Sequence, residues 1–312
     1  MKPRLTFIAV ITVIAFFVSC KKDKDYIPCK PTTGKKPTAD FTFSLNNSGQ
    51  VPCTVTFNNA STNSDSYTWY FSGTDRSTNT NEKRTYKSPR TYSVKLVASN
   101  AAGSDSVTKE FTIAPILNSV VVYLITPRDN KFNSDYYKAL KNATTNIQSW
   151  YKTQMGNNKT FVLNPLIVDT LTGLHDSTWY NSNNGSISGT DPRFYAFYNT
   201  LNDLQQLLGS AFNTTNYAYF VYVAAPGGGA GIPGFCAMGD QDLKGLLGTN
   251  PENPNPNRWI GGGGHELGHA FGLPHPDNMN DQAIMWTGYL IYPDCILQQS
   301  DRDILNASPF FR

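Results

Sequence analysis

Gly264-His265-Glu266-Leu267-Gly268-His269-Ala270-Phe271-Gly272-Leu273-Pro274-His275-Pro276 carries the deciding pattern of this 312-residue chain. On a helix, residues four apart share a face, so His265 and His269 can offer both imidazoles to one ion while Glu266 stands beside them. Gly272, three residues past the second histidine, suits the left-handed turn that stops a helix; the chain can then double back and bring in His275. Three neutral imidazoles leave one position open for water, whose pKa zinc lowers to about 7, and an adjacent carboxylate can take the proton. A bare His-Glu-x-x-His also occurs on solvated helix faces. Here three of the chain's four histidines fall inside the longer pattern. The spacing points to one zinc ion on His265, His269 and His275, with Glu266 as the general base.

Upstream of the motif the elements alternate. Val120 to Ile125 is an apolar, β-branched run of strand length. Asn133 or Ser134 caps a helix with Tyr136, Leu140, Ile147, Trp150 and Tyr151 on one face, ended by Gly156. Phe161 to Val168 reads as a strand, and Asp191-Pro192 opens a helix that buries Phe194, Phe197, Leu201, Leu204 and Leu208 before Gly209. Tyr217 to Ala224 is a further strand. This order predicts an α/β core over 116–312 whose next helix carries the chemistry. Gly261 to Gly264 are unexpected there, because each helical glycine costs about 1 kcal/mol relative to Ala. Either another backbone packs closely on them or the helix begins late. Thr249 to Asn257 reads as a mobile rim loop, and His175, isolated between strands, as a surface histidine.

Ala283-Ile284-Met285-Trp286 follows, its methionine ten residues beyond His275. With it the domain resembles the metzincin metallopeptidases, whose signature is the same extended motif followed by a methionine turn under the zinc. The resemblance covers about 119–312 and is strongest over 261–305. It implies a zinc-dependent endopeptidase, with Met285 as an apolar floor that supports the ligands without binding the ion; Met279 is the competing position. It also implies a C-terminal helix at Leu297, Ser300, Ile304 and Leu305. Gly227 to Gly234 falls where metzincins keep the edge strand that pairs with extended protein or peptide substrate; a plain glycine loop is the other reading. Pro276 is similar to serralysins, whose glycine- and aspartate-rich calcium repeats this chain lacks, whereas Met285 and Cys295 with a terminal helix suit pappalysin-like members. Some relatives place a tyrosine ligand two residues after the turn methionine, but that position is Thr287. Tyr289 or Tyr292 is then the candidate for stabilising the oxyanion, against a role as a packed aromatic. Calcium at Asp240 and Asp242 is a further open question.

The first part of the chain reads differently. Phe41 to Phe43, Thr54 to Phe57, Tyr67 to Trp69, Tyr92 to Val97 and Phe111 to Ile113 alternate apolar with polar between Asn, Ser and Gly clusters, the pattern of a small β-sandwich. Pro52, Val55, Phe57, Asn59, Ser61, Tyr67, Trp69, Phe71, Tyr86, Tyr92, Val94, Leu96, Asn100, Gly103 and Ser104 resemble the PKD domain, an immunoglobulin-like module, over about 38–114. The family's Trp-Asp-Phe-Gly-Asp-Gly turn is here Trp69-Tyr70-Phe71-Ser72-Gly73-Thr74. The resemblance thus implies the fold, with Trp69 in the core, and a spacer or adhesion module. The fold class expected for the whole is multidomain: an all-β sandwich, then an α/β (α+β) metzincin-like zincin domain.

Lys2 and Arg4 precede an apolar run from Leu5 to Val18, too short to span a bilayer comfortably, so residues 1–19 read as an export signal. Phe17-Val18-Ser19-Cys20, followed by Lys21 to Asp25, resembles a bacterial lipobox with an acylated Cys20; ordinary cleavage near Ser19 is the alternative. Lipidation implies an outer-membrane lipoprotein, open to the cell surface, tethered through 20–37. Removing Lys2 and Arg4 from the formal charge of +3 leaves +1, with no electrostatic footprint for nucleic acid. Cys29, Cys53, Cys236 and Cys295 allow three pairings. Cys236 with Cys295 is favoured, since both flank the motif; buried free thiols are the alternative. A monomer is expected. Two rival functions stay open: an inactive surface adhesin, and a zinc hydrolase of a non-peptide amide.

Overall fold

The computed structural model describes residues 34–184 and 191–312. The export segment 1–19, Cys20, Cys29 and most of the expected tether lie outside the described residues.

The N-terminal part is a two-sheet sandwich. One sheet is β1 (Phe41–Leu45), β2 (Cys53–Asn59) and β5 (Glu82–Tyr86); the other has the order β4 (Asp75–Ser77), β3 (Ser66–Ser72), β6 (Thr91–Asn100), β7 (Gly103–Thr112). All pairings are antiparallel. Alternation puts Phe41, Val55, Phe57, Trp69, Val94 and Leu96 into the space between the sheets, each fully buried. Trp69 is a core residue, as its aromatic bulk suggests, and its indole N–H donates to Asn79 O at 2.8 Å. β4 and β5 escape the sequence pattern because Asp75 to Ser77 and Glu82 to Tyr86 are short and mostly polar.

The C-terminal part is α/β. Its five-stranded sheet runs β11 (Ala230–Ile232), β12 (Phe235–Met238), β10 (Tyr217–Val223), β8 (Ser119–Thr126), β9 (Val162–Thr172). β12, β10, β8 and β9 are parallel, and β11 pairs antiparallel at one edge. β8 and β10 are buried along their whole length, as expected for central strands covered on both faces. On one face Val120, Val122 and Leu124 pack with α1 (Ser134–Gln154) and α5 (Pro256–Ala270). On the other, Val121, Tyr123 and Ile125 meet α3 (Tyr195–Leu208). Shorter helices α2 (Ser177–Tyr180) and α4 (Asp240–Leu246) and the closing α6 (Gln299–Ala307) complete the domain.

Two boundaries differ from the sequence pattern. β9 continues four residues past Val168, through Asp169 to Thr172. Asp169 is buried because Arg90 of the sandwich pairs with it at 2.9 Å, which ties the two domains together. Pro165 sits where the β8–β9 register slips between Val120 and Val122, an irregularity an edge strand tolerates.

The second boundary is that of α5. It does not begin late: Asn255 caps it, accepting from Asn257 N, and Pro256 fills the first position. All four glycines of 261–264 lie inside it. A Cβ on Gly261 would collide with Tyr289 O, and one on Gly263 would stand 2.7 Å from Tyr222 Oη. Close packing is therefore what these glycines permit.

The expected Cys236–Cys295 disulfide is not formed; both are free, buried thiols, as is Cys53. Cys236 lies in the middle of β12, with Sγ directed at Tyr219 O at 3.6 Å. Both cysteines sit in the core between sheet and helices. Burial pushes the Cys236 thiol well up and that of Cys295 to about 12, so both stay protonated and unreactive.

Candidate metal centre

α5 aims His265 and His269 from one face, and its end is built to return the chain. Gly272 adopts φ +91°, Gly272 N–H bonds His269 O at 2.9 Å, and Leu273 N–H bonds Gly268 O at 3.0 Å. This is the paired bonding of a Schellman turn, which no side chain with a Cβ adopts cheaply. The turn delivers His275 to the other two histidines.

The three Nε2 atoms stand 3.2 Å (His265 to His269), 3.1 Å (His269 to His275) and 3.4 Å (His265 to His275) apart. Tetrahedral ligands at about 2.05 Å from an ion are separated by about 3.3 Å, so the spacing fits one small cation. The other ring nitrogens say why these contacts are not ordinary hydrogen bonds. His265 Nδ1 meets Ile284 O at 2.6 Å and His269 Nδ1 meets Leu273 O at 2.8 Å. Each carbonyl only accepts, so each Nδ1 carries the proton and each Nε2 turns a lone pair inward. Burial lowers His265 to about 4 and also lowers His269, keeping both neutral. Converging lone pairs repel unless a cation sits between them. The triad could therefore hold a metal, and it is the group of this kind found among the described residues.

Met285 is fully buried, and a Cβ on Gly268 would collide with its Sδ, so it lies directly beneath the ligand helix. Met279 is 63% exposed. The Ala283 to Met285 turn has a second role invisible in the sequence, since its Ile284 carbonyl orients His265. Of the two tyrosines, Tyr292 is a core residue whose hydroxyl donates to Asn146 Oδ1 at 2.8 Å. Tyr289 instead faces His265, ring centroids 5.2 Å apart, and lines the open space beside it. His175 stacks on Trp179 at 3.6 Å, apart from the triad.

That space is a cavity of about 320 Å³ between α5, α4 and the glycine segment. Glu266 opens into it beside His265, and burial pushes its carboxyl up to about 7, with Asp242 adding and Arg258 opposing. Gly228 and Gly229 form another wall, and β11 follows them at the sheet edge. α5 crosses β11 so closely that a Cβ on Gly231 would collide with Glu266 O. The glycine run is thus part loop and part edge strand. Sequence reasoning missed Gln241 and Arg258 in this cavity, placed Glu252 only within a rim loop and gave Asp242 only as a calcium candidate. Arg258 was findable: Arg258, Gly262 and Glu266 are spaced by four on one helical stripe. Asp240 pairs with Lys244 at 2.7 Å.

Residues 34–115 match the family model of the PKD domain, and the N-terminal sandwich is such a domain. No curated protein matches the chain. Among solved structures, the PKD1 domain of Vibrio anguillarum Epp is 20% identical over 26% of this chain and 95% of that one, with a TM-score of 0.22. The PKD1 domain of the Vibrio cholerae metalloprotease PrtV is 25% identical over 24% and 96%, with a TM-score of 0.20. OgpA from Akkermansia muciniphila, also solved as a catalytically inactive form with an O-glycopeptide, is 17% identical over 62% of this chain, with a TM-score of 0.47. This chain spans 61% of OgpA.

Proposed function

We propose that residues 116–312 form a zinc-dependent endopeptidase of metzincin type that cleaves extracellular or surface proteins. The observation that carries this reading is the meeting of three Nε2 lone pairs, two of them fixed by carbonyls on the far side of the ring, next to a carboxyl that takes no part in the triad. His265, His269 and His275 would hold the ion through their Nε2 atoms. Zinc held there would supply a Lewis acid for a carbonyl and a nucleophilic water near neutral pH. Glu266 accepts the proton of the attacking water and returns it to the leaving amine. The free edge of β11 receives extended substrate by strand addition. Tyr289, rather than the buried Tyr292, is placed to stabilise the developing oxyanion. Met285 and Ile284 hold the ligand geometry without touching the substrate.

The test is to incubate the purified chain with a diverse peptide mixture, with and without a chelator, and to map cuts by mass spectrometry. Chelator-sensitive internal cleavage is expected. Zinc-loaded protein that cuts no peptide would contradict the reading and favour the adhesin or a non-peptide amide. The same reading puts the enzyme outside the cytoplasm on an acylated Cys20. Cys20→Ser is expected to move it from membrane to soluble fraction, and unchanged retention would argue against the anchor.

A further inference from the structure

The cavity beside the triad gathers more carboxyls than cations. Three carboxyls line it, Asp242, Glu252 and Glu266, against the single cation Arg258. Arg258 acts on Asp242 and Glu266 only through space, and burial outweighs it at both. Its guanidinium lies over Trp259 at 4.4 Å and over Tyr289 at 5.0 Å, with Nη1 2.7 Å from where a Cβ on Gly262 would stand. Among the described residues it makes no ion pair.

Asp242 is the unusual member. It is 8% exposed, in the first turn of α4, and its carboxyl has no side-chain partner among the described residues, only its own backbone amide. Burying a carboxylate without a counter-charge is costly, and such groups are normally paired. Arg258 reaches it only through space, without an ion pair, and the neighbouring Lys244 pairs with Asp240 instead. Glu252 stands at the exposed rim of the same space. Gly228, Gly229 and Gly262 leave the walls without side chains, and the volume is that of a side-chain pocket.

We propose that this cavity receives a positively charged group, the guanidinium or ammonium of the substrate residue next to the scissile bond, with Asp242 as its counter-ion and Glu252 at its entrance. A carboxylate ligand fits worse, because it would meet three acids while the one guanidinium is committed to two aromatic faces. In its use as a specificity pocket the inference rests on the peptidase reading; the cation site itself rests on the cavity.

The test has two arms on the zinc-loaded full mature chain. In the first, butylguanidinium and butyrate are titrated calorimetrically. Butylguanidinium is expected to saturate one site, with its Kd raised at least about tenfold in Asp242→Asn, and butyrate is expected not to bind there. Equal affinity in both proteins, or preferred binding of butyrate, overturns the proposal. Glu252→Gln, on an exposed residue, is expected to weaken binding in the same direction, and decides the matter if Asp242→Asn does not fold. In the second arm, kcat/KM is compared for matched peptides with arginine or norleucine beside the cut. Their ratio is expected to fall at least about tenfold in Asp242→Asn; an unchanged ratio overturns the specificity role. Asp242-dependent guanidinium binding without any peptide cleavage would support the cation site and sink the peptidase reading. Cleavage with an Asp242-independent ratio would support the peptidase reading and sink the specificity role.

Discussion

Trp69 and His265 are both large rings packed inside their domains, and they differ in what is left over. Trp69 is fully buried and spends its only polar atom on Asn79 O. His265 is 7% exposed and spends Nδ1 on Ile284 O, but keeps Nε2 aimed at two other histidines. Trp69 finds its partner inside its own domain, whereas the α/β domain gathers three Nε2 atoms, the Glu266 carboxyl and Asp242 around one cavity. Single atoms without a hydrogen-bond partner, such as Arg84 Nε and Thr200 Oγ1, also occur away from it; it is the convergence of several polar groups on one cavity that suits a ligand.

This contrast can be broken from either side. The largest effect is expected at the triad. His269→Ala removes one ligand, so zinc should fall from about one per chain to a small fraction and cleavage to background; near-stoichiometric zinc in that variant would remove the site. Trp69→Ala should cost about 3–5 kcal/mol of sandwich stability, as loss of a buried tryptophan does, and leave zinc content unchanged. Loss of metal there would mean that the two domains are not independent in the way the contrast requires.

A subtler difference concerns pH. Burial pushes Asp242 up to about 7, with Asp240 adding and Arg258 opposing. An unfolded aspartate titrates near about 3.9. Between these values the folded state binds a proton that the unfolded state releases, so this group's contribution to stability is lost as pH rises from about 4 to about 7. Urea titrations of metal-free protein should show Asp242→Asn gaining on its parent across that window. A difference that stays flat would show the carboxyl to be charged and paired. The smallest effect is expected for Tyr292→Phe, about 1 kcal/mol for the hydrogen bond to Asn146, with turnover kept. A large fall in kcat would move the oxyanion role from Tyr289 to Tyr292.

The meeting of His265 with His269 was legible in the sequence, because the two share one helix and obey its period. The C-terminal stop at Gly272 and the caps at Asn133 and Asp191 were readable for the same local reason. What was hidden depends on distant contacts. Four glycines left close packing and a late helix start both open, and the approach of Tyr289 and Tyr222 decides for packing. Asp242 and Glu252 lie on other segments and meet Glu266 only in three dimensions, so no spacing announces the cavity. Cys236 and Cys295 flank the motif in sequence, but the sheet directs Cys236 into the core. β4 and β5 carry too few apolar residues to alternate visibly.

Glu266→Gln tests the catalytic reading most directly, since the amide keeps the shape of the side chain but cannot accept a proton. Zinc content should remain about one per chain while peptide kcat/KM falls about 10²–10⁴-fold, the usual contribution of positioned proton transfer. Cleavage by Glu266→Gln at the wild-type rate, with zinc bound and chelator sensitivity intact, would contradict the mechanism and send the search to another base.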